Sequence, residues 1–172
     1  MKTIIAYFSQ SGNTRIIAEG LARAMELDQK FLIDLDAQEA PLDGDIYLVG
    51  YGVNKGTVPL CVMDLLDNLE GKMLLLFATC GFIPEEDYCR AIERRIEPFI
   101  PEDCVYRGIF LCPGKFPQEV VDTAKQVLEN APEHPAAKRI VEEYALAEKH
   151  PNQADIDRAA KLVRHRLGLD KL

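Results

Sequence analysis

"YFSQSGNTRIIAEG", Tyr7–Gly20, runs from the end of an apolar strand through a hydroxyl-rich turn into the start of a helix. Ahead of the turn, "KTIIAYF" (Lys2–Phe8) is a short β-branched run that reads as a buried strand. Behind it, Ile17, Leu21 and Ala24/Met25 share one helical face. In between, Ser9, Ser11, Asn13 and Thr14 surround Gly12, with no Lys or Arg from Ser9 to Thr14. Whatever the turn holds is therefore not held by charge. A helix beginning near Asn13 leaves several backbone N–H groups unpaired and carries partial positive charge at that end. An anion, above all a phosphate, fits there. Ser9, Ser11 and Thr14 add hydroxyl donors, and Gly12 lets the backbone approach closely. The GxxxxGK[ST] loop is absent, and so are the three spaced glycines of a dinucleotide fingerprint. The competing reading is an ordinary Asn/Thr helix cap. Hydroxyls on both sides of Gly12 favour the phosphate.

Outward from this stretch the chain alternates. "KFLIDL" (Lys30–Leu35), "DIYLVGYG" (Asp45–Gly52), "KMLLLFATC" (Lys72–Cys80) and "CVYRGIFLC" (Cys104–Cys112) read as four further strands. "NTRIIAEGLARAM" (Asn13–Met25), "PLCVMDLLDNL" (Pro59–Leu69) and "PEEDYCRAIERRI" (Pro84–Ile96) have helical spacing. The last of these opens on proline and acids and closes on arginines, an order that complements a helix dipole. From about Pro117 the chain reads as two or three helices broken at Pro132, Pro135 and Pro151. Five short apolar strands alternating with helices predict a parallel α/β sheet covered on both faces. Such sheets place ligands beyond the carboxyl ends of their strands. Four turns then matter: Ser9–Thr14, Gly50–Pro59, Thr79–Glu86 and Cys112–Pro117. They hold six of the eleven glycines. "DAQEAPLDG", at the opposite end, is an ordinary polar loop.

At 172 residues the chain has the length of one domain with a full core. A net charge of −8 argues against nucleic acid as a partner. The acidity is uneven: residues 1–137 carry 12 basic and 22 acidic groups, residues 138–172 carry 8 and 6. "TIIAYF" near the start is too short for a signal-peptide core or a membrane span. Five cysteines form no CxxC, and reduced thiols in a cytoplasm are expected. Cys80 and Cys112 end strands expected to be neighbours. A reversible disulfide is conceivable there, although small apolar fillers are the favoured reading. Cys89 and Arg95 match the C-x5-R spacing of phosphatase loops but fall inside a helical pattern. A phosphate-receiver domain needs acids after strand one and an aspartate after strand three, where Ser9/Gln10 and Tyr51/Gly52 stand. His134, His150 and His165 lie in the C-terminal region, away from the four turns, and are expected at the surface. No metal-site spacing is present.

"SQSGNT" at Ser9–Thr14, directly after the first strand, resembles the [S/T]-x-[S/T]-G-x-T phosphate loop of the flavodoxin family. "DIYLVGYGVNKGTVP" and "LLLFATCGF" resemble that family's third and fourth strands with their flavin-bordering loops. "HPNQADIDRAAKL" (His150–Leu162) is similar to the opening of its last helix. The resemblance implies a three-layer flavodoxin-like α/β sandwich, a single domain over residues 1–172, with a five-stranded parallel sheet in the order 2-1-3-4-5. It also implies FMN as cofactor. Ser9, Gln10, Ser11, Gly12, Asn13 and Thr14 would hold the phosphate. Val53, Asn54, Lys55 and Gly56 would line the inner edge of the ring. Thr79, Cys80, Gly81 and Phe82 would contact its other face, with Phe82 as the aromatic placed to stack on it. Tyr51, by alternation, turns toward the core. Many flavodoxins carry an aromatic where Asn54 falls and an acid close by, whereas "VNKG" stands here. A lysine near the ring, Lys55 or Lys115 of "CPGKF", would favour the anionic reduced flavin. The short loops and the absence of a second cofactor motif favour an electron carrier between redox partner proteins, a flavin reductase and an acceptor enzyme, with no membrane partner, and an acidic pattern without an extended apolar patch predicts a monomer. The alternative is a small FMN-dependent reductase acting on a quinone- or tetrapyrrole-like substrate. A flavin-free descendant is a third reading.

Overall fold

Strand β1 (Lys2–Phe8) leads into helix α1 (Asn13–Ala24), then β2 (Gln29–Asp34), β3 (Ile46–Gly52), α2 (Leu60–Leu66), β4 (Met73–Cys80) and α3 (Glu86–Ile96). A single 3-10 turn (Glu97–Phe99) precedes β5 (Val105–Pro113), and three helices follow: α4 (Gln118–Asn130), α5 (Pro135–Ala147) and α6 (Gln153–Leu167). The computed structural model describes residues 1–54 and 56–169. The five strands form one parallel sheet in the order β2-β1-β3-β4-β5, the order the family resemblance implies.

The apolar runs become central strands because both of their faces are covered. Ile4, Ala6, Tyr47, Val49, Leu74 and Leu76 point to one side and pack with Val62 and Leu66 of α2 and Ile92 and Ile96 of α3. Ile5, Tyr7, Leu48, Leu75 and Phe77 point to the other side and meet Ile17 and Leu21 of α1 with Ile156 and Val163 of α6. A strand with two apolar neighbours has no use for polar alternation, which is why these segments read as continuous hydrophobic runs.

The alternation has one gap. No helix separates β2 from β3, and the edge strand β2 is left with Phe31 and Leu32 exposed. Helix α2 stops at Leu66, short of the Leu69 its periodicity allows, as the chain turns toward Gly71 in the left-handed region. The tail forms three helices. Among the described residues, none of 118–147 joins either core beside the sheet, so α4 and α5 pack chiefly on each other. Helix α6 returns to the sheet. It opens on a capping box in which Asn152 Oδ1 accepts the Ala154 and Asp155 amides while Asp155 accepts the Asn152 amide.

Register settles the question raised by Cys80 and Cys112. Thr79 pairs with Cys112 and Cys80 with Pro113, so the two thiols lie on opposite faces of the sheet, one in each core. The pleat rules out a disulfide between them. Cys89 and Arg95 both lie within α3, so their spacing is helical. No helix among the described residues is long and apolar enough to cross a membrane.

Candidate functional site

The first turn sits where β1 delivers the chain to α1. Gly12 is the residue preceding the helix, with φ +86°, a left-handed conformation that glycine adopts without steric cost, and open space where a side chain would be. Neither Gly12 nor the side chains of Asn13 and Thr14 cap α1. The ordinary Asn/Thr cap is therefore not what the chain builds. Asn13 and Thr14 are buried and turned to neighbouring loops: Asn13 Nδ2 donates to Lys115 O at 2.9 Å, and Thr14 Oγ1 lies 2.8 Å from Thr79 Oγ1. Ser9 Oγ accepts the Arg15 amide at 3.2 Å, whereas Gln10 and Ser11 are exposed. Arg15, the cation nearest in sequence, directs its guanidinium to Glu19 at 2.8 Å.

The third strand ends beside this turn. Gly52 lies close to both the Thr14 and Thr79 hydroxyls, and the Val53 amide donates to Thr79 O at 2.8 Å. Asn54 is exposed and closes a tight turn, its carbonyl accepting the Thr57 amide at 2.9 Å and Thr57 Oγ1 at 2.6 Å. Gly56 holds φ +71° there, and Arg95 Nη1 from α3 donates to its carbonyl at 3.1 Å. A methyl group at Gly56 would fall 1.5 Å from that nitrogen, so the turn admits glycine on two counts. Lys55, assigned to this loop from sequence, lies outside the described residues. Tyr51 is buried, as alternation suggests, and its hydroxyl has no partner among the described residues. Burial pushes that phenol upward from its ordinary pKa.

The fourth strand contributes Thr79, Cys80, Gly81 and Phe82. Cys80 is buried on the α2/α3 side, and burial pushes its thiol up to about 12, so it is a neutral filler at physiological pH. Phe82 meets Tyr88 edge to face with ring centroids 4.6 Å apart, and the Arg139 guanidinium of α5 lies 5.6 Å from its ring centroid. The α4/α5 hairpin thereby reaches the loop that follows β4. A second aromatic escaped the sequence reading. Phe116 presses on Gly81, where a β-carbon would come within 2.4 Å of its ring. Its signal was its place in the fourth turn beside Gly114 and Lys115.

That fourth turn ties the others together. The Gly114 amide donates to Cys80 O at 2.7 Å, and the Lys115 amide donates to His150 O at 3.1 Å. His150 thus touches one of the four turns, contrary to the expectation that the histidines stand apart. His134 also has a structural task, its Nδ1 accepting the Ala137 amide at the start of α5. Among the described residues no three His, Cys, Asp or Glu side chains cluster as metal ligands.

The donor set fits a phosphate monoester. The Asn13 and Thr14 amides at the start of α1, the Ser11 hydroxyl and the open space over Gly12 supply hydrogen-bond donors and room. The positive end of the helix adds about 0.3–1 kcal/mol of attraction for an anion. Of the fourteen residues singled out from sequence, the structure brings the Ser9–Thr14, Val53–Asn54, Gly56 and Thr79–Phe82 groups to one end of the sheet.

Residues 4–164 match the family model described as a flavodoxin domain. The chain is similar to the flavodoxin-like domain-containing protein BilS of Clostridioides difficile (strain CD3), 27% identical over 168 residues and 96% of each chain. The protein of the same description from Clostridium symbiosum (strain WAL-14163) is 28% identical over 173 residues, covering 91% of this chain and 90% of that one. Among solved structures, the flavodoxin of Streptococcus pneumonia TIGR4 shares the fold, with a TM-score of 0.52 at 18% identity over 85% of this chain and 99% of that one.

Proposed function

The chain belongs to the flavodoxin family, and from that premise we propose that it binds FMN at the carboxyl ends of β1, β3 and β4 and carries electrons between redox proteins. The observation that carries this reading is the start of α1, where the Asn13 and Thr14 amides have no side-chain cap, hydroxyls line the turn, and the nearest cation in sequence, Arg15, is turned to Glu19. FMN supplies one- and two-electron chemistry when bound, and the chain's own residues hold and orient it. Ser9–Thr14 would receive the phosphate. Val53, Asn54 and Gly56 would border one side of the ring, and Thr79, Cys80, Gly81 and Phe82 the other. Phe116, packed on Gly81, extends the aromatic surface on the second side. The Gly56 carbonyl, fixed by Arg95, sets the shape of the inner loop before any ligand arrives.

A carrier needs only an exposed ring edge and no substrate pocket. One observation favours the alternative, a reductase for a quinone- or tetrapyrrole-like compound: Arg139 brings the α4/α5 hairpin over Phe82, adding a wall with a cationic group. Steady-state assays separate the two. The FMN-loaded protein with NADPH or NADH and a quinone should turn over only when a separate flavin reductase is added. It should then pass electrons on to a protein acceptor. Quinone turnover by the protein alone, at a rate the added reductase does not change, would establish the enzyme instead.

A further inference from the structure

Asp155 is almost wholly buried yet carries a carboxylate, and the capping of α6 does not account for all of its contacts. Asn152 already accepts two amides at that helix start. Beyond the Asn152 amide of that capping box, at 2.9 Å, Asp155 takes His150 Nδ1 at 2.6 Å and Arg158 at 2.5 Å. A buried carboxylate is tolerated only when so satisfied, and its removal leaves several groups unpaired. Its tie to His150 fixes the segment ahead of the helix. The next links run toward the site: His150 O accepts the Lys115 amide, and Lys115 O accepts Asn13 Nδ2. Three places far apart in sequence, residues 150–155, 115 and 13, thus form one hydrogen-bonded line from α6 to the first residue of α1.

What this line does follows from the chemistry of asparagine. It also follows from its place: Gly12 is the residue preceding α1, and Asn13 is the first residue inside the helix. Here Asn13 is 6% exposed, its Nδ2 is committed to Lys115, and its Oδ1 has no partner among the described residues. The side chain is fixed across to the fourth turn, and in the first turn of α1 the Arg15 amide is taken by Ser9 Oγ while those of Asn13 and Thr14 have no side-chain cap. We propose that Asp155 and His150 are positioning residues that latch Asn13 through the Lys115 backbone and so fix the start of α1, with the turn ahead of it, in place for a phosphate. This rests on the FMN reading for its ligand but not for its geometry.

Two measurements on the full chain test it. In the FMN-free protein, Asp155→Ala and His150→Ala should each speed exchange of the Lys115 amide by about tenfold or more, since the line that protects it is cut. In titrations, both variants should weaken FMN by about tenfold, the loss of roughly one hydrogen bond's contribution, with riboflavin affinity changed less than about twofold. A purely structural role would instead weaken both ligands alike, and that result overturns the latch. Unchanged Lys115 exchange in both variants overturns it too. His150 is partly exposed, so His150→Ala keeps the test decisive if Asp155→Ala does not fold. Wild-type protein that binds no FMN would defeat the cofactor reading, and the exchange data would still decide the latch.

Discussion

Ser11 and Thr14 belong to one loop but stand in different surroundings, and substitutions should tell them apart. Ser11 is exposed, so Ser11→Ala should weaken FMN by about 1–3 kcal/mol and leave the melting temperature unchanged. Thr14 is buried against Thr79, so Thr14→Ala should weaken FMN similarly and also destabilise the fold by about 1–3 kcal/mol, because the Thr79 hydroxyl is left unpaired. Fluorescence titration and thermal melts of the two variants check both halves. Buried acids make a second prediction. Burial raises the pKa of Cys80, Cys112, Tyr51 and Tyr106, for Cys80 to about 12. In the unfolded chain thiols and phenols titrate from about pH 8.5 to 10. Their neutral forms therefore stabilise the fold at neutral pH, and this contribution is lost as pH rises above about 9. The slope reaches at most about 1.4 kcal/mol per pH unit for each such group. The melting temperature should be flat from about pH 7 to 8 and fall steadily toward pH 11. A flat profile to that limit would contradict the burial of these groups.

At the scale of elements, helix α1 is fitted to α6 through Gly20. A methyl group there would stand 2.7 Å from two carbons of the Ile156 side chain. Gly20→Ala improves intrinsic helix propensity by about 1 kcal/mol, yet overpacking typically costs about 1–3 kcal/mol. The variant should come out less stable in denaturant unfolding. A more stable Gly20→Ala would show that the two helices separate more readily than this contact indicates. The strands were legible in the sequence because burial on both faces makes them continuous apolar runs between turn residues. Asn13 as the first residue of α1 was legible for the same local reason. The α4/α5 hairpin was legible as helices but not in its placement, since Arg139 meets Phe82 across more than fifty residues of chain. The latch was invisible for a related reason. It runs through the backbone of Lys115 and His150, whose amide and carbonyl leave no mark on residue type.

For the whole molecule, the sheet order and the gathering of turns at one end followed from strand–helix alternation and the family resemblance together. Alternation says that parallel strands must be covered on both faces, and the turn residues say which end carries the chemistry. The limits lay in contacts between turns. Phe116 on Gly81 and Thr14 on Thr79 arise only once β1, β4 and β5 are side by side. The opposite-face placement of Cys80 and Cys112 needed the register, which one residue of slip would have reversed. On the proposed function, this end of the sheet binds a flavin through its phosphate, by hydrogen-bond donors and not by cationic side chains. Parallel fluorescence titrations of the wild-type protein with FMN and with riboflavin, which lacks the phosphate, test it most directly. FMN should bind at least about a hundredfold more tightly, the combined contribution of two or more charge-assisted hydrogen bonds. Equal affinities for the two ligands, or no binding of FMN, would contradict it.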